Sequence, residues 1–267
     1  MKAPELSYYN IADGIISFST TRHGGCSRGN YGEFNINEYC GDEAEAINKN
    51  RKALAAELGI DADHMIIPHQ THGIETRQIA EDFLSLPENI RKMILEGVDA
   101  VMTNIKGVCV GVSTADCIPI LLYDPEHEAV CALHAGWRGT VARVVMKAVT
   151  EMRLAYQTKP SDLKAVIGPG ISLDAFEVGN EVYEEFANAN FEMDAISKQM
   201  KVAGTDFKYK WHIDLKECNR RQLLQCGINE ENILVSDVCT YNNVEDFFSA
   251  RRLGTASGRI YSGIIIR

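Results

Sequence analysis

Apolar residues come in short, dense blocks through the middle of the chain. Met65 to Ile67, Ile74 to Ile79, Asp99 to Met102, Val108 to Val112, Ile118 to Tyr123 and Ala129 to His134 each run a few residues and then meet a turn. Blocks of that length, rich in valine and isoleucine, predict strands. Gly14 to Thr20 predicts an earlier strand, Ala165 to Gly168 a later one and Arg259 to Ile266 the last. Between them the period lengthens. From about Glu43 to Leu58, the residues Ala44, Ile47, Arg51, Leu54, Ala55 and Leu58 fall on one helical stripe, and Gly59 follows as a stop. Arg51 is the odd member of that stripe. A guanidinium on an apolar face must reach a partner or a cavity, so Arg51 is expected to turn inward and line the functional cleft.

Thr140 is expected to cap a helix running to about Tyr156. Two more helices are expected, near Asn180 to Ala187 and from Leu215 to Cys226, the second stopped by Gly227. Helices and strands mix without a regular βαβ rhythm. That favours an α+β or mixed α/β fold over a doubly wound one. No repeat, low-complexity tract or linker interrupts the chain, so residues 1–267 are expected to form a single domain, a mixed β-sheet flanked by helices. No GxGxxG or Walker sequence points to a dinucleotide or P-loop site.

Composition narrows the partners. The 267 residues carry a net charge of −10 and no basic block, which argues against nucleic acid or an anionic membrane surface. A small anionic substrate remains compatible, because a few arginines can build a local site. The first ten residues have no apolar core of signal-peptide length, and no stretch approaches the ~20 apolar residues of a membrane span. A cytoplasmic location is therefore expected, and no obligate protein partner is evident. The eight cysteines fit that expectation; Cys109, Cys131 and Cys226 sit in apolar runs and read as small buried hydrophobes.

Three residues stand where apolar runs meet turns. His72 lies in Pro68-His69-Gln70-Thr71-His72-Gly73, Cys117 in Thr114-Ala115-Asp116-Cys117-Ile118-Pro119, and His134 opens His134-Ala135-Gly136-Trp137-Arg138-Gly139-Thr140. Two imidazoles and a thiolate suit zinc and leave a fourth position open, as catalytic sites do. The glycine-bracketed turn after His134 is a candidate anion site at a helix start, with Arg138 as a clamp. A blue-copper laccase of the usual kind needs about ten histidine ligands. This chain has seven histidines and no His-x-His pair, which excludes it. The His-x-Glu and Pro-Cys-x-x-Cys signature of zinc cytidine-type deaminases is absent as well.

These blocks, with Thr20-Thr21-Arg22-His23-Gly24-Gly25, Phe34-Asn35, Asn50-Arg51, Ile167-Gly168-Pro169, Phe176-Glu177-Val178-Gly179 and Phe247-Phe248-Ser249-Ala250-Arg251-Arg252, resemble the bacterial YfiH-type proteins. That family is also called the laccase-domain or polyphenol oxidase family and includes human FAMIN. The resemblance runs from about residue 15 to the C-terminus. It implies a single α/β domain holding one zinc through His72, Cys117 and His134. It implies phosphorolysis of adenosine, inosine and 5′-methylthioadenosine, with adenosine deaminase activity at the same site. Purine nucleoside and phosphate are then the partners. For such a reaction Arg51, Arg138 or Arg251 could clamp phosphate, and Asn35 could hydrogen-bond the base. The alternatives are a copper-dependent polyphenol oxidase, and a metal- or cysteine-dependent amidase editing peptidoglycan precursors.

Overall fold

The computed structural model describes residues 2–202, 204–205 and 208–267. Two β-sheets stack face to face, and helices cover both outer surfaces. The first sheet runs in the order β1 (Leu6–Tyr9), β2 (Ile15–Thr20), β14 (Ile260–Ile266), β6 (Cys109–Thr114) and β3 (Met65–Ile66). The second runs β13 (Ile233–Val235), β9 (Lys164–Ile167), β7 (Ile118–Asp124), β8 (Ala129–Ala135), β5 (Ala100–Thr103) and β4 (Thr76–Gln78). Both are mixed: β3 pairs parallel to β6, whereas β6 pairs antiparallel to β14. A small third sheet joins β10 (Glu177–Val178), β12 (Tyr209–Ile213) and β11 (Ser197–Lys201).

Alternation along the strands sorts side chains into three cores, because successive residues of a strand point to opposite faces. In β7, Leu121 and Tyr123 face the seam between the sheets, where they meet Val110 and Val112 of β6 and Ile264 and Ile266 of β14. Ile118, Ile120 and Leu122 face the other way. There they pack under α4 (Val144–Tyr156) and α7 (Leu215–Gln225), through Val145, Ala148, Met152 and Leu223. On the far side of the first sheet, α1 (Ala44–Leu58) sets Leu54, Ala55 and Leu58 against Phe18, Cys109 and Tyr261. The molecule is thus layered helix, sheet, sheet, helix. Strands β6, β7 and β8 are buried on both faces, which is why they read as continuous apolar blocks.

Three local details depart from the sequence expectations. Thr140 does not cap the long helix. It lies inside a short helix, α3 (Trp137–Val141), whose N-cap is Gly136. The chain then reverses through Arg143, at φ 66°, before α4 begins. Asn219 of α7 donates to the Thr140 hydroxyl at 3.1 Å and Gln222 to its carbonyl at 3.0 Å, so α3 is pinned to α7 and cannot continue straight into α4. Ala44, placed on the apolar stripe of α1, is exposed, while Asn50 is fully buried. The block Ile74 to Ile79 contributes only β4. Gly59 stops α1 as expected, at φ 64° in the left-handed region. The remaining short helices are α2 (Glu88–Ile94), α5 (Asn180–Asn188), α6 (Met193–Ile196) and α8 (Ala250–Leu253). No helix among the described residues is long and apolar enough to cross a membrane.

Candidate metal centre

One end of the seam between the sheets opens into a cleft of about 230 Å³. His134, near the end of β8, enters it from the second sheet, on the same face as Val130 and Ala132. Ser113 and Thr114, at the end of β6, line it from the first. Cys117 stands in the tight turn from β6 to β7, and His72 in the loop before β4. The ligating atoms of His72, Cys117 and His134 lie within 4.8 Å of one another. Zinc bonds of ~2.0–2.3 Å would hold such atoms somewhat closer, within about 4 Å. The three side chains grade from exposed His72 through half-buried Cys117 to buried His134, so the group faces solvent on one side only.

Asp99, at the start of β5, organises two of the three. Its carboxylate is completely buried. It accepts from His134 Nδ1 at 2.7 Å, which leaves Nε2 for the cleft. It also accepts from the backbone N–H groups of Thr71, His72 and Gly73, at 3.2, 3.1 and 2.7 Å. That grip holds His72 at φ 63°, in the left-handed region. Gln70 completes the anchor. Its amide donates to the Ser113 carbonyl at 2.8 Å and accepts from the Ser113 N–H at 2.7 Å, tying the loop to the end of β6.

The Cys117 turn is anchored from the opposite side. Asp116, at φ 85°, accepts from the Thr240 hydroxyl at 2.8 Å and from the Arg251 backbone N–H at 2.7 Å. Asp116 therefore positions its neighbour and does not face the cleft chemistry. Burial pushes the Cys117 thiol up, but the charge and hydrogen bonds of His134 and His72 outweigh it and bring the thiol below its usual range. Burial pushes His134 down, and the charges of Cys117 and Asp99 more than reverse that. The site thus favours a thiolate, the form that ligates metal.

Gly136 tests whether this space is shaped for an ion. A Cβ there would lie 3.0 Å from His72 Cδ2 and 3.1 Å from Cys117 Sγ. Its φ of −69° suits any residue, so what a side chain would meet here is the tight room between the donor side chains and not backbone strain. Donor chemistry and shape fit a zinc-type ion with an open position, which His72, Cys117 and His134 would hold. Among the described residues this is the one His/Cys/Asp/Glu group close enough to hold a metal.

The other sequence-nominated residues lie elsewhere. Arg51 does turn inward, but not to this cleft. Its Nε donates to the Ile36 carbonyl at 2.9 Å and its Nη2 meets Glu38 at 3.2 Å, beside a separate cavity of about 460 Å³. Arg138 is exposed and lies over the Trp137 ring, 4.2 Å from its centroid. The helix it belongs to spans five residues, too short to concentrate much dipole at its start. Arg251 reaches away, donating from Nη1 to the Glu177 carbonyl at 2.9 Å. Asn35 is fully buried, with its amide committed to Asn37, Cys40 and Asp42 and its oxygen to the N–H groups of Asn37 and Arg259. In their place the cleft is lined by Asn37, Tyr39, Cys40, His69 and Arg259. Gln70 stood within the quoted His72 motif. Asp99 and Arg259 opened or flanked apolar blocks, with no signal that a site would form there.

Fold and site together define a mixed α/β protein built around a candidate His–Cys–His metal centre. Residues 16–267 match the family described as multi-copper polyphenol oxidoreductase laccase, and the chain belongs to that family. It is 45% identical over 260 residues to a purine nucleoside phosphorylase of Bacteroides thetaiotaomicron, covering 97% of this chain and 93% of that one. It is 40% identical over 260 residues to adenosine deaminase RL5 from an unknown prokaryotic organism, covering 97% of each. Among solved structures, YfiH of Bacillus licheniformis superposes with a TM-score of 0.87 at 26% identity, covering 99% of this chain and 97% of the other.

Proposed function

We propose that this chain is a zinc-dependent purine nucleoside phosphorylase acting on adenosine, inosine and 5′-methylthioadenosine. The observation that carries the proposal is the convergence of His72, Cys117 and His134 on one cleft, with Asp99 holding the His134 imidazole and the His72 backbone. Purine chemistry is supported by the relatives named purine nucleoside phosphorylase. A flat aromatic surface is also at hand. Tyr39 stacks on His69 with centroids 4.1 Å apart and rings inclined by 20°, and both line the cleft.

In the reaction a phosphate oxygen forms a bond to C1′ as the N9–C1′ bond breaks. The electron pair leaves with the purine, which takes up a proton from the dihydrogen phosphate or from water, and the sugar leaves as ribose 1-phosphate, or as its 5-methylthio counterpart from 5′-methylthioadenosine. Bound zinc would supply positive charge and Lewis acidity beside these events. The chain's own residues hold the donors rigid and shield the inner end of the cleft from water. Deamination of adenosine is the second activity we assign to this cleft, on the strength of the relative named adenosine deaminase RL5. A multicopper oxidase reading has less support. Seven histidines and a single three-residue donor group among the described residues fall short of the about ten histidines such clusters need.

The test is inosine incubated with the zinc-loaded protein, with and without phosphate. Hypoxanthine and ribose 1-phosphate in equal amounts, formed only with phosphate, are expected. Unchanged nucleoside under both conditions overturns the proposal for this substrate and favours the amidase alternative.

A further inference from the structure

Phosphorolysis needs a proton on the departing purine, and the cleft offers few groups to deliver it. No Asp or Glu is among the residues that line it. His72, Cys117 and His134 are the candidate metal ligands. Arg259 lines the cleft too, but a guanidinium does not release its proton. Burial pushes the Tyr39 hydroxyl and the Cys40 thiol up, so both are weaker acids than usual. His69 is the one remaining titratable residue of the lining. An imidazole exchanges its proton near neutral pH, which suits a general acid.

The contacts of His69 fix its ring and leave one nitrogen for a substrate. Tyr39 covers one face, with centroids 4.1 Å apart. The His69 backbone N–H donates to the Leu95 carbonyl at 3.0 Å, tying the residue to the end of α2. Nδ1 meets both carboxylate oxygens of Glu96, at 2.8 and 2.9 Å. A carboxylate only accepts, so Nδ1 carries a hydrogen and the orientation of the ring is set. Nε2, across the ring, makes no hydrogen bond with any described residue. A half-buried imidazole, held by a carboxylate on one nitrogen and open on the other, is placed to hand a proton to something in the cleft.

We propose that His69 is the general acid of this cleft, passing a proton from Nε2 to N7 of the departing purine, and that Glu96 positions it. The assignment rests on the phosphorolysis reading. As a phosphate oxygen bonds C1′, the electron pair of the N9–C1′ bond moves into the purine ring and N7 takes the proton, so the base leaves neutral. His69 gives up one proton in that step and regains one from dihydrogen phosphate or water. The overall balance of the reaction is unchanged.

The experiment compares inosine with 7-methylinosine, each incubated with phosphate and the zinc-loaded protein. The methyl group puts a positive charge on the purine, so that base leaves neutral without taking up a proton. Wild type is expected to cleave both. His69→Gln should lower kcat/KM for inosine about 10²-fold, and for 7-methylinosine by no more than about threefold. Glu96→Gln keeps an acceptor for Nδ1 and should show a smaller loss, again on inosine alone. The ratio of the two substrates on one preparation does not depend on how much of a variant is folded, and a purely structural role would lower both together. Equal losses on the two substrates in His69→Gln, or no loss on either, overturn the assignment and leave the phosphorolysis reading standing. Wild type that cleaves 7-methylinosine alone does the same. Wild type that cleaves neither nucleoside overturns the phosphorolysis reading, and the assignment falls with it.

Discussion

Asp99 spends one buried carboxylate on four donors: the His134 imidazole and three consecutive N–H groups around His72. Asp99→Asn keeps the shape but turns one acceptor oxygen into a donor facing donors. Metal affinity should fall about 10–100-fold, and stability by ~1–3 kcal/mol, read by competitive chelation and thermal melting. Normal metal affinity in a well-folded Asp99→Asn protein would contradict the role given to it. Gly136 makes a complementary case. Gly136→Ala adds a Cβ 3.0 and 3.1 Å from the two donor side chains while leaving the backbone unstrained. Metal loading should drop with far-UV circular dichroism unchanged; full loading would mean the donors have room that the structure does not show. At this scale the sequence was partly legible. His72, Cys117 and His134 stood out because each breaks an apolar run at a turn. The arginines could not be ranked, since a guanidinium on an apolar stripe reaches whatever acceptor lies nearest. For Arg51 that is the Ile36 carbonyl and Glu38.

The strands were the most legible elements. Blocks buried on both faces, such as Ile118–Asp124 and Ala129–Ala135, carry an unbroken apolar signal. The β11–β12 hairpin carries little, since its strands hold Lys198, Lys201 and Lys210 and remain largely open to solvent. The break between α3 and α4 is set by α7, through Asn219 and Gln222, and no local propensity announces it. Element contacts also carry a pH dependence. Glu38 joins α1 to α2 by meeting Arg51 at 3.2 Å and Lys92 at 3.1 Å. Burial pushes its carboxyl up, but the Arg51 charge and the bonds from Lys92 and Arg51 outweigh it and hold the value below the ordinary 4.5. A depressed folded value means stability that is fully present above the unfolded value and lost as pH falls through the folded one. Glu38→Gln should therefore lower stability near neutral pH, by less than ~1 kcal/mol for a pair partly open to solvent, and flatten the acid limb of the unfolding curve. Parallel pH–stability curves for the two proteins would contradict this.

At the scale of the whole molecule, stacking two sheets creates the site. Each sheet sends residues to one open end of the seam: His134 from β8 on one side, and Ser113 and Thr114 from β6 on the other. The mixed α/β class was legible from irregular alternation of helix and strand. The double layer was not, because sequence blocks do not say which strands share a sheet. The second and last strands, β2 and β14, pair side by side although they lie near opposite ends of the chain. The central claim is that His72, Cys117 and His134 hold one metal ion. X-ray absorption at the zinc edge, with metal counted per chain, tests it directly. The account predicts one zinc per chain, with one sulfur at ~2.3 Å and two imidazole nitrogens at ~2.0–2.1 Å, and loss of that ion in Cys117→Ala. A protein that loads no zinc, or holds it unchanged after Cys117→Ala, would contradict the account.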